Sequence, residues 1–537
     1  MLRNPNPKDM PMIKVNAGQT VKVQIKRMGT ITLVNSPSSV ASLTVDGGVV
    51  AASHTGTQTY GPFLAGGKAV ITAVTGSVEY SRNTKRNSVK PAMVKDDTFV
   101  DGQGLPINLG QVVGGRVLPR RNALVKGLLT GRMAQQANAA DFTSHIEFTF
   151  EAVPGTIEVG ILNNVAASLS GVRCAIAFSA VQGVVQDAGL LGSLNAGSWV
   201  AVPIGGATNG STIAAASATN SVDNPTVTWS DPVAVNPPAR TDGGTLTVGH
   251  VRIEIPAANT TVPVAHWTNI GELENQGSAS VAPFGRFIRG RSQAVLGVQN
   301  RALFTSTTST GRVVPVLIRY TPRDGSTKGI TWAVFGNSLD EGVTANATAR
   351  RVGWTGRVQR DLSTPQRPIE ICNVAIHGAA QSRLFNRVSG LLPQINPEVY
   401  SFQIANINSA AFPNATPTQA ATDMNSIRGN TGLARVAANT NLAVPIWVTS
   451  PPANFVARPT VEYDKLRRAL NAEYLANQSS REFVLDLAGP FSGPLDANGQ
   501  TTIATGLHSD NLHDNDAGAE VWAQAGVGMF RRLLASV

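Results

Sequence analysis

Ile330-Thr331-Trp332-Ala333-Val334-Phe335-Gly336-Asn337-Ser338-Leu339-Asp340-Glu341-Gly342 joins a short apolar run to a serine flanked by glycines. A run of this length, closed by a turn signal, reads as a buried strand whose chain reverses at the glycines. Further apolar runs follow at Ile369 to Ile376, Val399 to Ala405, Val444 to Thr449 and Phe483 to Leu487, and segments of helical period lie between them. One such segment, Thr460 to Gln478, places Tyr463, Leu466, Leu470 and Tyr474 at three- and four-residue steps. This alternation begins after Arg323 and predicts a C-terminal α/β domain over residues 326–537, with five strands in a parallel sheet. Ser338 then stands at the carboxyl edge of the sheet, where open α/β folds bind ligands. Taken alone, serine beside glycine is ordinary turn chemistry.

The other end of the domain changes its meaning. Ser509-Asp510-Asn511-Leu512-His513-Asp514-Asn515-Asp516-Ala517-Gly518 precedes a helix-like stretch that runs to the end of the sequence. Asp510 and His513, three apart, can meet within one turn. Such a carboxylate fixes the imidazole tautomer and stabilises the imidazolium, leaving the other ring nitrogen to deprotonate a serine from elsewhere in the fold. Asp516 is expected to cap the last helix, and Asp340 and Glu341 to favour a helix N-terminus. His377 and His508 lie near these segments and take ordinary loop roles, with a place in the pocket lining as the alternative for His377. Trp332, inside the first strand, is read as core rather than as a sugar-stacking platform.

Together these segments resemble the SGNH (GDSL-type) hydrolase family, whose first block is Gly-Asp-Ser-Leu-x-x-Gly and whose last is Asp-x-x-His. Gly336 to Gly342 matches the first block with Asn337 in place of the aspartate, and Asp510 to His513 matches the last. Asn373-Val374-Ala375-Ile376-His377-Gly378-Ala379-Ala380 resembles the second block. Asn406-Ile407-Asn408-Ser409 keeps only the asparagine of the third. The resemblance covers about the last two-fifths of the chain. It implies a three-layer α/β hydrolase and acyl transfer, with Ser338 as nucleophile, His513 as general base and acid, and Asp510 orienting His513. It further implies an oxyanion hole made by the Ser338 and Gly378 amides and the Asn408 side chain. No metal or organic cofactor is expected.

Outward from this domain, 537 residues exceed what one core needs, so the chain is multidomain. Charged residues are 15% of the sequence, while glycines number 52 and prolines 31, a balance that favours turns and strands and disfavours coiled coil. No apolar run approaches a membrane span, and no membrane insertion is expected. Val21, Val23 and Ile25 alternate with Lys22 and Gln24, and similar runs at Ile31 to Val34 and Ser77 to Tyr80 predict a small β domain over residues 1–81. Residues 82–135 read as a basic linker and irregular connector. Over 136–325, Ile146, Phe148 and Phe150 alternate with Glu147, Thr149 and Glu151, and Val251, Ile253 and Ile255 with Arg252 and Glu254. Each is expected to be a half-buried strand of an antiparallel β-sandwich. Cys174 and Cys372 have no metal-ligand spacing and are read as buried thiols.

The net charge of +10 is spread thinly over short clusters such as Arg82, Lys85, Arg86 and Lys90, which read as solvated surface, so no nucleic-acid partner is expected. The first residues, polar and proline-punctuated, lack the pattern of a secretory signal. An esterase placed behind β-rich segments resembles the modular virion proteins of tailed bacteriophages. That resemblance implies a trimeric tail spike or fibre on the virion that removes acyl groups, O-acetyl foremost, from bacterial surface polysaccharide. Residues 1–81 would then anchor it to other virion proteins, and the sandwich would bind glycan or serve assembly. Two alternatives stand beside this reading: a receptor-binding appendage whose hydrolase-like domain does not turn over, and a bacterial carbohydrate esterase with accessory β domains.

Overall fold

The computed structural model describes residues 123–128, 132–138, 141–182, 199–216, 224–266, 312–325, 329–341, 353–376, 378–404, 443–453, 461–476, 483–510 and 512–535. Elsewhere it describes individual strands and single positions only. The chain divides into two compact units, residues 1–97 and 98–537.

In the first unit, eight strands between Ile13 and Arg82 form two four-stranded antiparallel sheets. The alternating run at Val21 lies in the strand Thr20–Ile25, which pairs with Gly67–Thr75. The stretch read as a linker falls largely outside the described residues.

The second unit opens earlier than expected. Leu124–Leu128 and Arg132–Ala137, within the stretch read as irregular, are strands that pair with Val316–Pro322 and Thr261–His266. Only long-range partners reveal them, because neither carries a clean period-two pattern. Leu124–Leu128 joins a five-stranded antiparallel sheet with Val316–Pro322, Pro154–Asn163 and Thr226–Trp229; a six-stranded sheet is centred on Phe142–Phe150, Thr247–Ile255 and Leu169–Ser179. Ile146, Phe148 and Phe150 pack with Ile157, Val159 and Ile161 and with Val251 and Ile253 in one core.

The expectation of half-buried strands is corrected here. Phe142–Phe150 and Thr247–Ile255 are buried along their whole length, polar positions included. The polar face holds its own network. His145 and His250 meet ring nitrogen to ring nitrogen at 3.2 Å, Ser179 Oγ lies 2.9 Å from the other His250 nitrogen, and the Arg252 guanidinium sits 4.1 Å from the centre of the Trp199 ring. Polar residues at alternate positions mean water only when nothing packs over them. Both cysteines are free and buried, and burial pushes both thiols well up.

The C-terminal part is a five-stranded parallel sheet: β1 (Ile330–Phe335), β2 (Ile369–Asn373), β3 (Val399–Gln403), β4 (Val444–Val448) and β5 (Phe483–Leu485), in the order β2-β1-β3-β4-β5. Between and after them run α1 (Ser338–Glu341), α2 (Trp354–Leu362), α3 (Gln381–Ile395), α4 (Val461–Ala476), α5 (Ala488–Phe491) and α6 (Asp516–Ala535). Strands covered on both faces need apolar residues at successive positions. Trp332 and Val334 point to one core with Trp354, Trp522 and Phe530, while Ala333 and Phe335 point to another with Leu384, Val388 and Trp447. Trp332 is fully buried, and its indole N–H donates to Ser401 Oγ at 3.1 Å.

The sandwich and the α/β sheet share the second of these cores, which also takes in Val125, Leu162 and Leu317. A buried carboxylate joins them. Glu370 on β2 accepts from the Tyr320 hydroxyl at 2.6 Å and from the Glu151 amide at 2.8 Å, with Lys126 Nζ 3.4 Å away.

Candidate active site

Ser338 follows the end of β1, in a turn built by its neighbours. The Asn337 side-chain oxygen accepts from the Leu339 amide at 2.9 Å, and its carbonyl accepts from the amides of Asp340 and Glu341. Asn337 therefore caps α1 as an aspartate would, which is why an asparagine serves at this position. Asp340 closes the turn from below: Oδ2 accepts from the Asn337 amide and Oδ1 from the Trp354 indole, both at 3.3 Å.

His513 comes from the loop before α6. That loop is closed across its neck by a backbone bridge between His508 and Asp514 and by the Ser509 amide donating to the His513 carbonyl at 3.0 Å. Asp510 Oδ1 accepts from the backbone amides of Leu512 (3.1 Å) and His513 (2.7 Å), while Oδ2 lies 2.7 Å from His513 Nδ1. Burial alone would raise the Asp510 carboxyl; the hydrogen bonds from the His513 ring and the two amides outweigh it and hold it below the usual carboxylate range. A carboxylate can only accept, so the Nδ1 atom carries the ring proton and Nε2 is left with a lone pair. Nε2 lies 3.0 Å from Ser338 Oγ. Ser338 and His513 are buried, whereas the Asp510 side chain is 44% exposed, so solvent screens its charge and its effect is chiefly orientation.

The structure thus brings together Ser338, His513 and Asp510 from sequence positions more than 170 residues apart. Gly378 lies exposed in the loop after β2 with φ of 69°, a conformation that favours glycine, and that loop is tied to the nucleophile turn by the Ile376 amide donating to the Gly336 carbonyl at 2.9 Å. Asn408 and His377 fall outside the described residues. His508 is half-buried and contributes backbone to the loop closure, as its assignment to a loop role anticipated. The cap of α6 is Asn515, not Asp516: the Asn515 side-chain oxygen accepts from the Gly518 amide at 3.0 Å. Asp516 is already inside the first turn and pairs with Arg357 at 2.8 Å. The capping residue must precede the first helical residue, and Asn515 occupies that place.

Two supporting residues were not singled out by sequence. Asn373, at the end of β2, donates through Nδ2 to the Asp340 carbonyl at 2.8 Å, and Gln381 Nε2 donates to the Ile404 carbonyl at 2.9 Å, fixing the end of β3. For Asn373 an amide side chain at a strand end was the available signal; Gln381, the first residue of α3, carried none.

A serine hydroxyl, an oriented imidazole and a carboxylate at the carboxyl edge of a parallel α/β sheet define a nucleophile–base–orienter site of the kind serine hydrolases use. No family model matches the sequence, and no curated protein matches it. Solved structures do. The chain is similar to a GDSL-like lipase from Bacteroides thetaiotaomicron (15% identity, 39% of this chain, 88% of that one, TM-score 0.26). It is similar too to a lipase/acylhydrolase from Enterococcus faecalis (17% identity, 38% and 95%, TM-score 0.28) and to a psychrotrophic esterase from Pseudoalteromonas sp. (14% identity, 38% and 98%, TM-score 0.28).

Proposed function

We propose that residues 326–537 form a serine esterase domain that cleaves carboxylic esters through Ser338, His513 and Asp510. The observation that carries this is the continuous contact from Ser338 Oγ to His513 Nε2 at 3.0 Å and from His513 Nδ1 to Asp510 Oδ2 at 2.7 Å.

In this mechanism the Ser338 hydroxyl passes its proton to His513 Nε2 as Oγ bonds to the ester carbonyl carbon. The carbonyl oxygen becomes an oxyanion, to be received by the Gly378 and Ser338 amides and the Asn408 side chain. A positioned donor of this kind is worth about 10²–10³ in rate. Collapse expels the alcohol, which takes the proton from His513 and leaves an acyl group on Ser338. Water then attacks, His513 accepts its proton, and the same steps in reverse release the acid and restore the hydroxyl.

The substrate we propose is an acylated, above all O-acetylated, bacterial surface polysaccharide, and the setting a trimeric tail spike or fibre of a bacteriophage virion. Two β-rich regions ahead of the hydrolase domain support this reading: residues 1–81 as the part that joins other virion proteins, and the sandwich, set against the hydrolase through Glu370, as the part that carries glycan or assembly contacts. Among the described residues no helix is long and apolar enough to cross a membrane.

Acetate release from an acetylated bacterial polysaccharide, with a small aryl acetate as control, tests the proposal. Activity in the intact chain that disappears in Ser338→Ala and His513→Ala supports it. An intact chain inert across a broad ester panel refutes it.

A further inference from the structure

The face of the six-stranded sheet turned away from the apolar core carries a line of polar side chains across three neighbouring strands. Ser179 comes from Leu169–Ser179, His250 and Arg252 from Thr247–Ile255, and His145 from Phe142–Phe150. Alternation puts them on one face, because Ile146, Phe148, Val251 and Ile253 fill the core on the other. All four are buried, His145, His250 and Arg252 at 0% exposure. Ala175 and Ala177, the small residues opposite Arg252 and His250, leave room for these side chains to lie across the sheet.

The hydrogen bonds of this line run in one direction. A guanidinium donates and never accepts. Burial pushes Arg252 down to about 9, so it keeps its proton at neutral pH. Its Nε, 3.4 Å from His145 Nδ1, therefore meets a lone pair there, and the His145 proton sits on Nε2. That proton points at His250 Nδ1, 3.2 Å away, which leaves the His250 proton on Nε2, 2.9 Å from Ser179 Oγ. Ser179 in turn gives its own proton to the Val181 carbonyl at 2.6 Å, just past the end of its strand. A serine beside two histidines would suggest a second nucleophile and base, but here the imidazole donates to the serine and cannot deprotonate it.

Protonation would turn each accepting nitrogen into a donor. A proton on His250 Nδ1 would face the His145 N–H, one on His145 Nδ1 would face the Arg252 N–H, and either cation would lie beside the guanidinium. The Trp199 ring covers the line, its centre 5.4 Å from that of His145 and 4.1 Å from the Arg252 guanidinium carbon. The other charged groups of the packed strands are Glu147, opposite His250 in the ladder, Arg289, opposite His145, and Glu254, which pairs with Arg173 at 3.2 Å. Burial, with the Arg252 charge second, holds His250 down to about 3.

We propose that Arg252, His145, His250 and Ser179 form an acid-sensitive latch in the sandwich, closed while both imidazoles are neutral and opened when either takes a proton. The latch stands independently of the esterase reading. Its closed form excludes the proton, whereas the parted or unfolded form accepts it near the ordinary histidine value of about 6.5. The stabilisation is therefore whole above that pH and is lost as pH falls toward the depressed folded value. For one such histidine the folded-to-unfolded ratio drops about 25-fold between pH 7 and pH 5.

The test is urea unfolding of the full chain at pH 7 and pH 5, intact and as His250→Gln, followed by tryptophan fluorescence, since all seven tryptophans lie in the second unit. Asp340 and Asp514, whose carboxyls burial raises, gain stability as pH falls, so the comparison with the variant isolates the histidine. The intact chain is expected to lose about 25-fold more of that ratio over this interval than the variant. Equal pH dependence in the two overturns the latch. Nitrogen NMR of the intact chain with labelled histidine gives a second reading that does not require the variant to fold. At pH 5 at least two of the seven histidines are expected as neutral rings with the proton on Nε2, and fewer than two overturns the proposal.

Discussion

The Tyr320 hydroxyl, on a strand of the sandwich, donates a 2.6 Å hydrogen bond to Glu370 on the edge strand of the α/β sheet, and both side chains are buried. The bond crosses what the sequence suggests is a domain boundary. Burial, with the Glu370 charge adding to it, pushes the Tyr320 phenol well above its ordinary range, so the hydroxyl keeps its proton and donates at neutral pH.

Removing the acceptor leaves Lys126 and the Glu151 amide facing an empty, dry site. Glu370→Ala is expected to cost about 3–5 kcal/mol and Tyr320→Phe about 1–2 kcal/mol. Denaturant unfolding measures both, and equal small effects would show that the contact is dispensable. A fragment beginning at residue 326 exposes the shared face of Val125, Leu162 and Leu317 contacts and is expected to aggregate when expressed alone.

Ser338→Ala and His513→Ala are each expected to lower kcat by about four to six orders of magnitude with little loss of stability, since triad members act as a unit. Asp510→Asn keeps the loop but loses the carboxylate, and a smaller loss of about 10²–10⁴ is expected. Steady-state kinetics on one ester with all three variants decides it. Comparable activity in Ser338→Ala would place the nucleophile elsewhere.

Gly378 separates strain from chemistry. Its φ of 69° makes Gly378→Ala cost about 1 kcal/mol, while the added Cβ meets nothing within 4 Å. If its amide receives the oxyanion, kcat falls by about 10²-fold or more, well beyond what that destabilisation explains. A loss confined to thermal stability would remove Gly378 from the oxyanion hole.

Acid stability turns on Asp464 of α4. Burial would raise its carboxyl, but Arg467 at 2.6 Å and the Thr501 amide and hydroxyl, each at 2.9 Å, outweigh that and lower it. The unfolded chain therefore binds the proton more readily, so the stabilisation is present above about pH 4 and is lost as pH falls through the depressed folded value. Urea unfolding from pH 6 to pH 3 should show this loss in the intact chain and a flatter profile in Asp464→Asn.

Much of the α/β domain was legible because it depends on local pattern. The apolar run Ile330–Phe335, too short for a core helix and closed by a glycine turn, read as a strand buried on both faces, and a serine after its glycine then falls at the carboxyl edge. Asp510 and His513 were readable as a pair since three residues of loop suffice to join them. The strands Leu124–Leu128 and Arg132–Ala137 were not readable, because their partners lie more than a hundred residues away and their own sequences carry little periodicity.

By itself, then, the sequence determined the order of strands and helices after Arg323, the serine at the first strand end and the Asp510–His513 pair, all set by chemistry within a few residues. Tertiary structure alone decided that Ser338 meets His513 at 3.0 Å, that Asn515 rather than Asp516 caps the last helix, and that the polar face of His145, Glu147, His250 and Arg252 is buried. It also decided that Glu370 joins the sandwich to the α/β sheet. Burial and long-range pairing are properties of which surfaces meet, and no local period encodes them.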